Sequence, residues 1–136
     1  MTLVMKRLDH VNVRTANVDG MCDWYQRLLG LKTGPRPGFS FPGAWLYAGE
    51  NAIIHLVGKD AHPEAPDEDL RLEHFAIAAT GLKELLAKAE EAGERVSVRR
   101  VPDFPIVQVN MWDPDGNHIH IDFDAAEAEG LDILSF

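Results

Sequence analysis

Six histidines are spread along the 136-residue chain, and four of them form two matched pairs: His74 follows His10 by 64 residues, and His120 follows His55 by 65. Neutral imidazole is the commonest nitrogen donor to zinc, nickel, copper and iron. Four imidazoles gathered in one place would therefore make a metal centre. A single histidine in a strand is more often a hydrogen-bonded core or surface residue. The recurrence of the positions is what favours a site, with a polar pocket lacking a metal as the alternative.

The pairs recur because the chain itself repeats. Residues 7–14 read RLDHVNVR and residues 71–78 read RLEHFAIA, with Asp9 matched to Glu73 and Val13 to Ile77. A helix follows each opening strand. In the first copy Asn17 is the expected N-cap, Val18, Met21, Cys22, Tyr25, Leu28 and Leu29 make the apolar stripe, and Gly30 closes it. In the second copy Thr80 is the expected cap, Leu82, Leu85, Leu86, Ala89 and Ala92 make the stripe, and Gly93 closes it. Strands are expected at 44–48 and 52–57, then at 106–112 and 117–123, with turns at 49–51 and at DPDG, 113–116. Weaker strand signals lie at 31–33 and 95–99. Each copy thus reads β-α-β-β-β, over about 7–57 and 71–123, within one domain of residues 1–136. Residues 58–70 form an acidic linker, and 124–136 a tail.

A strand sends alternate side chains to opposite faces. His10, Asn12 and Arg14 oppose Val11 and Val13; His55 opposes Ile54 and Leu56; His120 opposes Ile119 and Ile121. Each sheet then has an apolar face for its helix and a second face carrying histidine. Two such sheets related by a pseudo-twofold would line a concave cleft. Asn12, Arg14, Gln108 and Asn110 fall on those faces as substrate contacts, with Trp45 or Tyr47 beside them. Arg14 would pair either with a substrate carboxylate or with an acidic neighbour. Residues 33–43 form either an aromatic lip carrying Phe39 and Phe41 or a surface loop whose phenylalanines tuck under the helix. His62 is expected in solvent. His118 shares the face of His120 but lies beside the turn, where exposure is expected.

Two β-α-β-β-β copies, LDHV at 8–11, DPDGN at 113–117 before the last strand and paired histidines together resemble the vicinal oxygen chelate superfamily, the glyoxalase/bleomycin-resistance/dioxygenase group. The resemblance covers residues 7 to about 123. It implies an α+β fold whose two modules form a U-shaped mixed sheet around a cleft, with helices on the outer face. It implies a divalent metal (Zn, Ni, Fe, Mn or Co) that chelates vicinal oxygens of a small-molecule substrate, in a lyase, isomerase or dioxygenase. Position by position, His10, His55, His74 and His120 match the family's metal ligands. The family usually has Glu where this chain has His120, and that carboxylate is both ligand and proton carrier. His120 is therefore the candidate base, and a glyoxalase-type shuttle loses its usual carboxylate. Asp122, on the same face, either orients His120 or makes a salt bridge at the rim. The alternative function is a non-catalytic protein that sequesters an antibiotic, as bleomycin-resistance members do.

The net charge of −9 argues against a nucleic-acid partner, which needs clustered Lys and Arg. No stretch has the length of a membrane span, and MTLVMKRLDH is charged too early for a secretion signal. With Cys22 as its only cysteine, the chain is expected in the cytoplasm with a buried, inert thiol. The family resemblance implies a homodimer, and the apolar tail LDILSF is expected to bury Leu131, Ile133, Leu134 and Phe136 against protein.

Overall fold

The computed structural model describes residues 2–63 and 70–135. The chain divides into two compact units, Met1–Glu64 and Ala65–Phe136, each holding one copy of the repeat. The acidic linker lies partly outside the described residues, as does Phe136.

The first unit runs β1 (Val11–Thr15), α1 (Val18–Leu29), β2 (Lys32–Thr33), β3 (Gly43–Ala48) and β4 (Asn51–Gly58). Its sheet has the order β1-β4-β3-β2. β1 and β4 are parallel and the other pairs antiparallel, because α1 and the β2–β3 hairpin separate β1 from β4 in sequence. The Asn17 side chain accepts from the Gly20 amide at 3.1 Å and starts the helix. Gly30 ends it at φ 68, a left-handed conformation that a side chain would strain. Met21, Trp24, Tyr25 and Leu28 are buried at the i, i+3, i+4, i+7 spacing of one helical face, and α1 packs on β3 and β4. Leu46, Ile54 and Leu56 are buried in those strands, each contributing about 1.5–3 kcal/mol by leaving water. The expected stripe was set to one side: Trp24 is buried, while Val18, Cys22 and Leu29 lie half-buried at its margins. Partial burial still pushes the Cys22 thiol up, away from the reactive thiolate.

The second unit runs β5 (Phe75–Ala78), α2 (Leu82–Ala92), β6 (Val96–Arg100), β7 (Ile106–Trp112) and β8 (His118–Asp124). The sheet order β5-β8-β7-β6 repeats the first unit, again with one parallel pair, β5 on β8. Val107, Val109 and Met111 of β7 and Ile119, Ile121 and Phe123 of β8 are all buried, as period-2 alternation requires. The expectation for Thr80 was wrong. The N-cap is Gly81, and no cap side chain bonds to the helix. Glu127, in the short 3-10 turn Ala125–Ala128, accepts from the Gly81 and Leu82 amides at 2.8 and 3.1 Å. A carboxylate placed there also meets the positive end of the helix dipole, so a distant residue does what a local one was expected to do.

Two further expectations shift. His10 and His74 stand one residue ahead of β1 and β5 rather than inside them, because the parallel ladders begin at Val11–Ile54 and Phe75–Ile119. The tail docks on its own unit: the Arg100 amide donates to the Leu134 carbonyl at 2.8 Å, and Ser135 bridges to Arg100. Leu131 and Ile133 are half-buried, whereas Leu134 is 65% exposed. Among the described residues no helix is long and apolar enough to cross a membrane.

Candidate metal centre

In the second unit, the turn before β8 aims the histidines. Asp113 accepts from the amides of Asp115 and Asn117 at 3.0 and 2.9 Å, and its carbonyl accepts from Gly116 at 2.8 Å. β8 leaves this turn at His118. The antiparallel ladder then sets Trp112 against His118 and Asn110 against His120. Period 2 gives His118, His120 and Asp122 a common face, opposite buried Ile119 and Ile121. Parallel pairing brings the start of β5, and so His74, beside them.

One donor nitrogen from each of His74, His118 and His120 lies within 4.8 Å of the others. His74 and His120 stack at 3.9 Å and 16°. The His118 ring stands across them, 5.3 and 5.1 Å away. Nitrogens around a tetrahedral zinc lie about 3.3 Å apart, given bonds near 2.0–2.1 Å, so small side-chain rotations close the cluster on an ion. Three imidazoles fit a divalent first-row metal. Burial, and then the neighbouring charge of His74, holds His120 below its ordinary pKa. It is therefore neutral near pH 7, the form that donates to a metal.

Around the rings is a polar network. His118 Nε2 meets Asn110 Oδ1 at 2.9 Å, and Asn110 Nδ2 donates to the Ser97 carbonyl at 3.0 Å, which fixes the amide's orientation. His118 Nδ1 meets Glu73 Oε1 at 2.8 Å, and the other Glu73 oxygen meets His74 Nδ1. These bonds, His74 first, hold the Glu73 carboxyl below its usual range. Trp112 stacks on His118 at 5.2 Å, and the Arg95 guanidinium lies 3.6 Å from the Trp112 ring centre. Asp122 Oδ1 is 3.8 Å from His120 Nδ1, beyond hydrogen-bonding range. That oxygen is buried without a hydrogen-bond partner, and burial pushes the Asp122 carboxyl up. Among the described residues Asp122 thus approaches His120 at ion-pair range without a hydrogen bond to it.

The first unit carries a different column of rings. Trp45 stacks on His55 at 3.9 Å and 9°, and His55 on His10 at 3.8 Å and 13°. His55 Nε2 donates to the Ala52 carbonyl at 3.2 Å, and His10 Nδ1 meets Asp9 at 2.7 Å. Burial first, and His10 second, push the His55 pKa down. Asn12 and Arg14 are exposed on the His10 side of β1. Phe39 and Phe41 stack at 4.8 Å with Arg36 about equally far from both rings, 5.1 and 5.2 Å. Both phenylalanines are exposed, so they do not tuck beneath the helix.

Of the residues singled out from the sequence, the structure joins His74, His120 and Asn110 in one unit, and His10, His55 and Trp45 in the other. Gln108 is half-buried and pairs with Asp122 across the ladder. His62 is exposed as expected. His118 is the correction. Its side chain is only 19% exposed, because Trp112 and Asn110 cover it, and it belongs to the cluster. Its spacing of two from His120 was the available signal. In the sequence Glu73 is only the repeat match of Asp9, and nothing local ties it to His118.

The profile of the Glyoxalase/Bleomycin resistance protein/Dioxygenase superfamily matches residues 7–121. A curated relative, glyoxylase I 4 of Arabidopsis thaliana, is 29% identical over 135 residues, covering 88% of this chain and 71% of its own. Among solved structures, a glyoxalase family protein from Bacillus anthracis superposes with TM-score 0.74 at 20% identity, over 91% of this chain and 99% of that one. Lactoylglutathione lyase from Agrobacterium tumefaciens superposes with TM-score 0.62 at 16% identity, over 90% and 95%. At these identities the structural likenesses establish the fold.

Proposed function

The chain belongs to the Glyoxalase/Bleomycin resistance protein/Dioxygenase superfamily, and on that premise we propose that it is a metal-dependent enzyme, a lyase, isomerase or dioxygenase acting on a small molecule with vicinal oxygens. The proposed ligands are His74, His118 and His120 of the second unit, and in the first unit His10 and His55 stand at the positions matched to His74 and His120. What supports this reading is the cluster of three imidazole nitrogens within 4.8 Å in the second unit, one of them on a ring kept neutral by burial. A bound divalent ion would supply Lewis acidity toward two adjacent substrate oxygens. Asn12 and Arg14, exposed beside His10, and Gln108 and Asn110 of β7 are the polar groups that would orient the substrate, with Phe39 and Trp45 as aromatic walls. His120 serves as proton acceptor only while its unprotonated nitrogen is off the ion, since one lone pair cannot do both.

Elemental analysis of protein purified without chelators tests the reading. Near-stoichiometric first-row metal is expected, and folded protein without metal would turn the assignment to a ligand-sequestering member of the family. Neither position 55 nor position 120 is Glu. Turnover of the methylglyoxal–glutathione adduct is therefore expected to be negligible, and robust turnover at neutral pH would show that a histidine or another group replaces the missing carboxylate as base. The proposal includes a cytoplasmic homodimer that covers Leu134. Sedimentation of a chain lacking residues 131–136 should show weakened association with metal content intact.

A further inference from the structure

The second unit brings one carboxylate into direct contact with two of its clustered histidines, and that carboxylate is not at the position where the resemblance places one. Glu73 immediately precedes His74, yet it reaches two rings. One oxygen lies 2.8 Å from His118 Nδ1 and the other meets His74 Nδ1, across a sequence separation of 45 residues in the first case. A carboxylate can only accept, so both imidazoles carry hydrogen on Nδ1, which leaves Nε2 as the one nitrogen of each ring that can ligate a cation. Asn110 Oδ1, which also can only accept, faces the Nε2 of His118 at 2.9 Å; that contact requires hydrogen on Nε2, and a cation binding there takes the place of both the hydrogen and the contact. In the first unit Asp9 makes the corresponding bond to His10 alone, at 2.7 Å. The residue there that matches His118 is Ile53, so no second ring is available. His120 stands apart from Glu73 and faces Asp122 instead.

We infer that Glu73 is the positioning carboxylate of the metal centre: it holds His74 and His118 together as Nδ1–H tautomers turned to ligate through Nε2, and places beside them the negative charge that the family carries at the position of His120. The inference rests on the metal reading above and goes beyond it, since it assigns a residue outside the family's ligand positions. The physical basis is general. A ligand histidine whose other nitrogen donates to a carboxylate is fixed in orientation and made more basic, and loss of that partner typically weakens metal binding by about 10–100-fold. One carboxylate serving two ligands concentrates that effect in a single side chain. The side chain is 64% exposed, so its substitution leaves the core intact.

The experiment is a competition of the full-length protein against a chromophoric chelator for Zn²⁺ and Co²⁺, with wild type, Glu73→Gln, Glu73→Asp and, as a control on an exposed face of α2, Glu90→Gln. Nitrogen-15 spectra of the metal-free proteins at pH 8 report ring tautomers. E73Q is expected to lose about 10–100-fold in affinity and to shift His74 and His118 toward mixed tautomers, leaving His120 unchanged. E73D should recover part of the affinity, and E90Q should match wild type. If E73Q binds metal as wild type does, with unaltered tautomers, Glu73 is only a surface partner and the inference falls while the metal reading stands. If folded wild type takes up neither ion at micromolar concentrations, the metal reading falls and the inference with it.

Discussion

The two units have the same strand order, the same single parallel pair and the same helix position, but their histidine faces differ. At matched positions the first unit has Trp45, Ile53, His55 and Val57, where the second has Asn110, His118, His120 and Asp122. Trp45 stacks flat on His55, whereas Asn110 bonds to His118 and leaves His120 against His74. The opposite face hardly changes: Ile54 and Leu56 in one unit, Ile119 and Ile121 in the other, all buried. One face of each sheet fixes the fold by apolar burial, and the other is free to carry either an aromatic column or a polar cluster. The same scaffold therefore supports a two-imidazole set in one unit and a three-imidazole set with its own carboxylate in the other.

The largest expected effect bears on that asymmetry. The double variant His74→Ala/His120→Ala should lose stoichiometric metal, while His10→Ala/His55→Ala should bind more weakly but still measurably, by elemental analysis and chelator competition. Equal or reversed losses would break the contrast between the units. Next come the shared faces. Leu56→Ala and Ile121→Ala occupy matched buried positions, and each should cost about 2–5 kcal/mol in urea unfolding. A much smaller cost in one unit would show that the cores are not equivalent. Asn17→Ala and Glu127→Ala remove two different solutions to the same capping problem. Each should cost about 0.5–2 kcal/mol, and a negligible cost for Glu127→Ala would mean that α2 needs no distant cap.

The smallest effect is a pH dependence. His55 and His120 both lie below their ordinary pKa of 6.5 in the fold. As pH falls through that value the unfolded chain takes up protons that the folded rings resist, so stability declines toward the lower folded values. In metal-free protein, His55→Asn and His120→Asn should each flatten the decline of melting temperature between pH 7 and pH 5. Asp122 has the opposite sign. Its folded pKa is raised, so the folded state is penalised as pH rises through it, and Asp122→Asn should raise the melting temperature at pH 7. A fall in that temperature would mean that the ionised carboxylate has a stabilising partner.

Much of this was legible in the chain. Gly30 and Gly93 end the two helices where the stripes stop, and DPDGN makes the turn that launches β8. The weak signals at 31–33 and 95–99 correspond to β2 and β6. His55 and His120, within β4 and β8, stand opposite the buried Ile54, Leu56, Ile119 and Ile121 as period 2 assigns them. All of these are local properties: the turn residues, the helical stripe and the strand alternation depend on neighbours a few positions away, and a repeat writes each of them twice.

Three features were settled only by tertiary structure: the capping of α2 by Glu127, the membership of His118 in the cluster, and the sharing of Glu73 between two rings. The Glu127 and Glu73 contacts join residues 46 and 45 positions apart. Their partners are chosen by how β5 aligns along β8, and by which rotamer a long acidic side chain adopts once that alignment is made. His118 and Thr80 show the same rule from the other side. Each had a plausible local role, beside a turn for one and at a helix start for the other. Each lost it because packing across the sheet, by Trp112 and Asn110, or from the 3-10 turn, by Glu127, satisfied the same groups better.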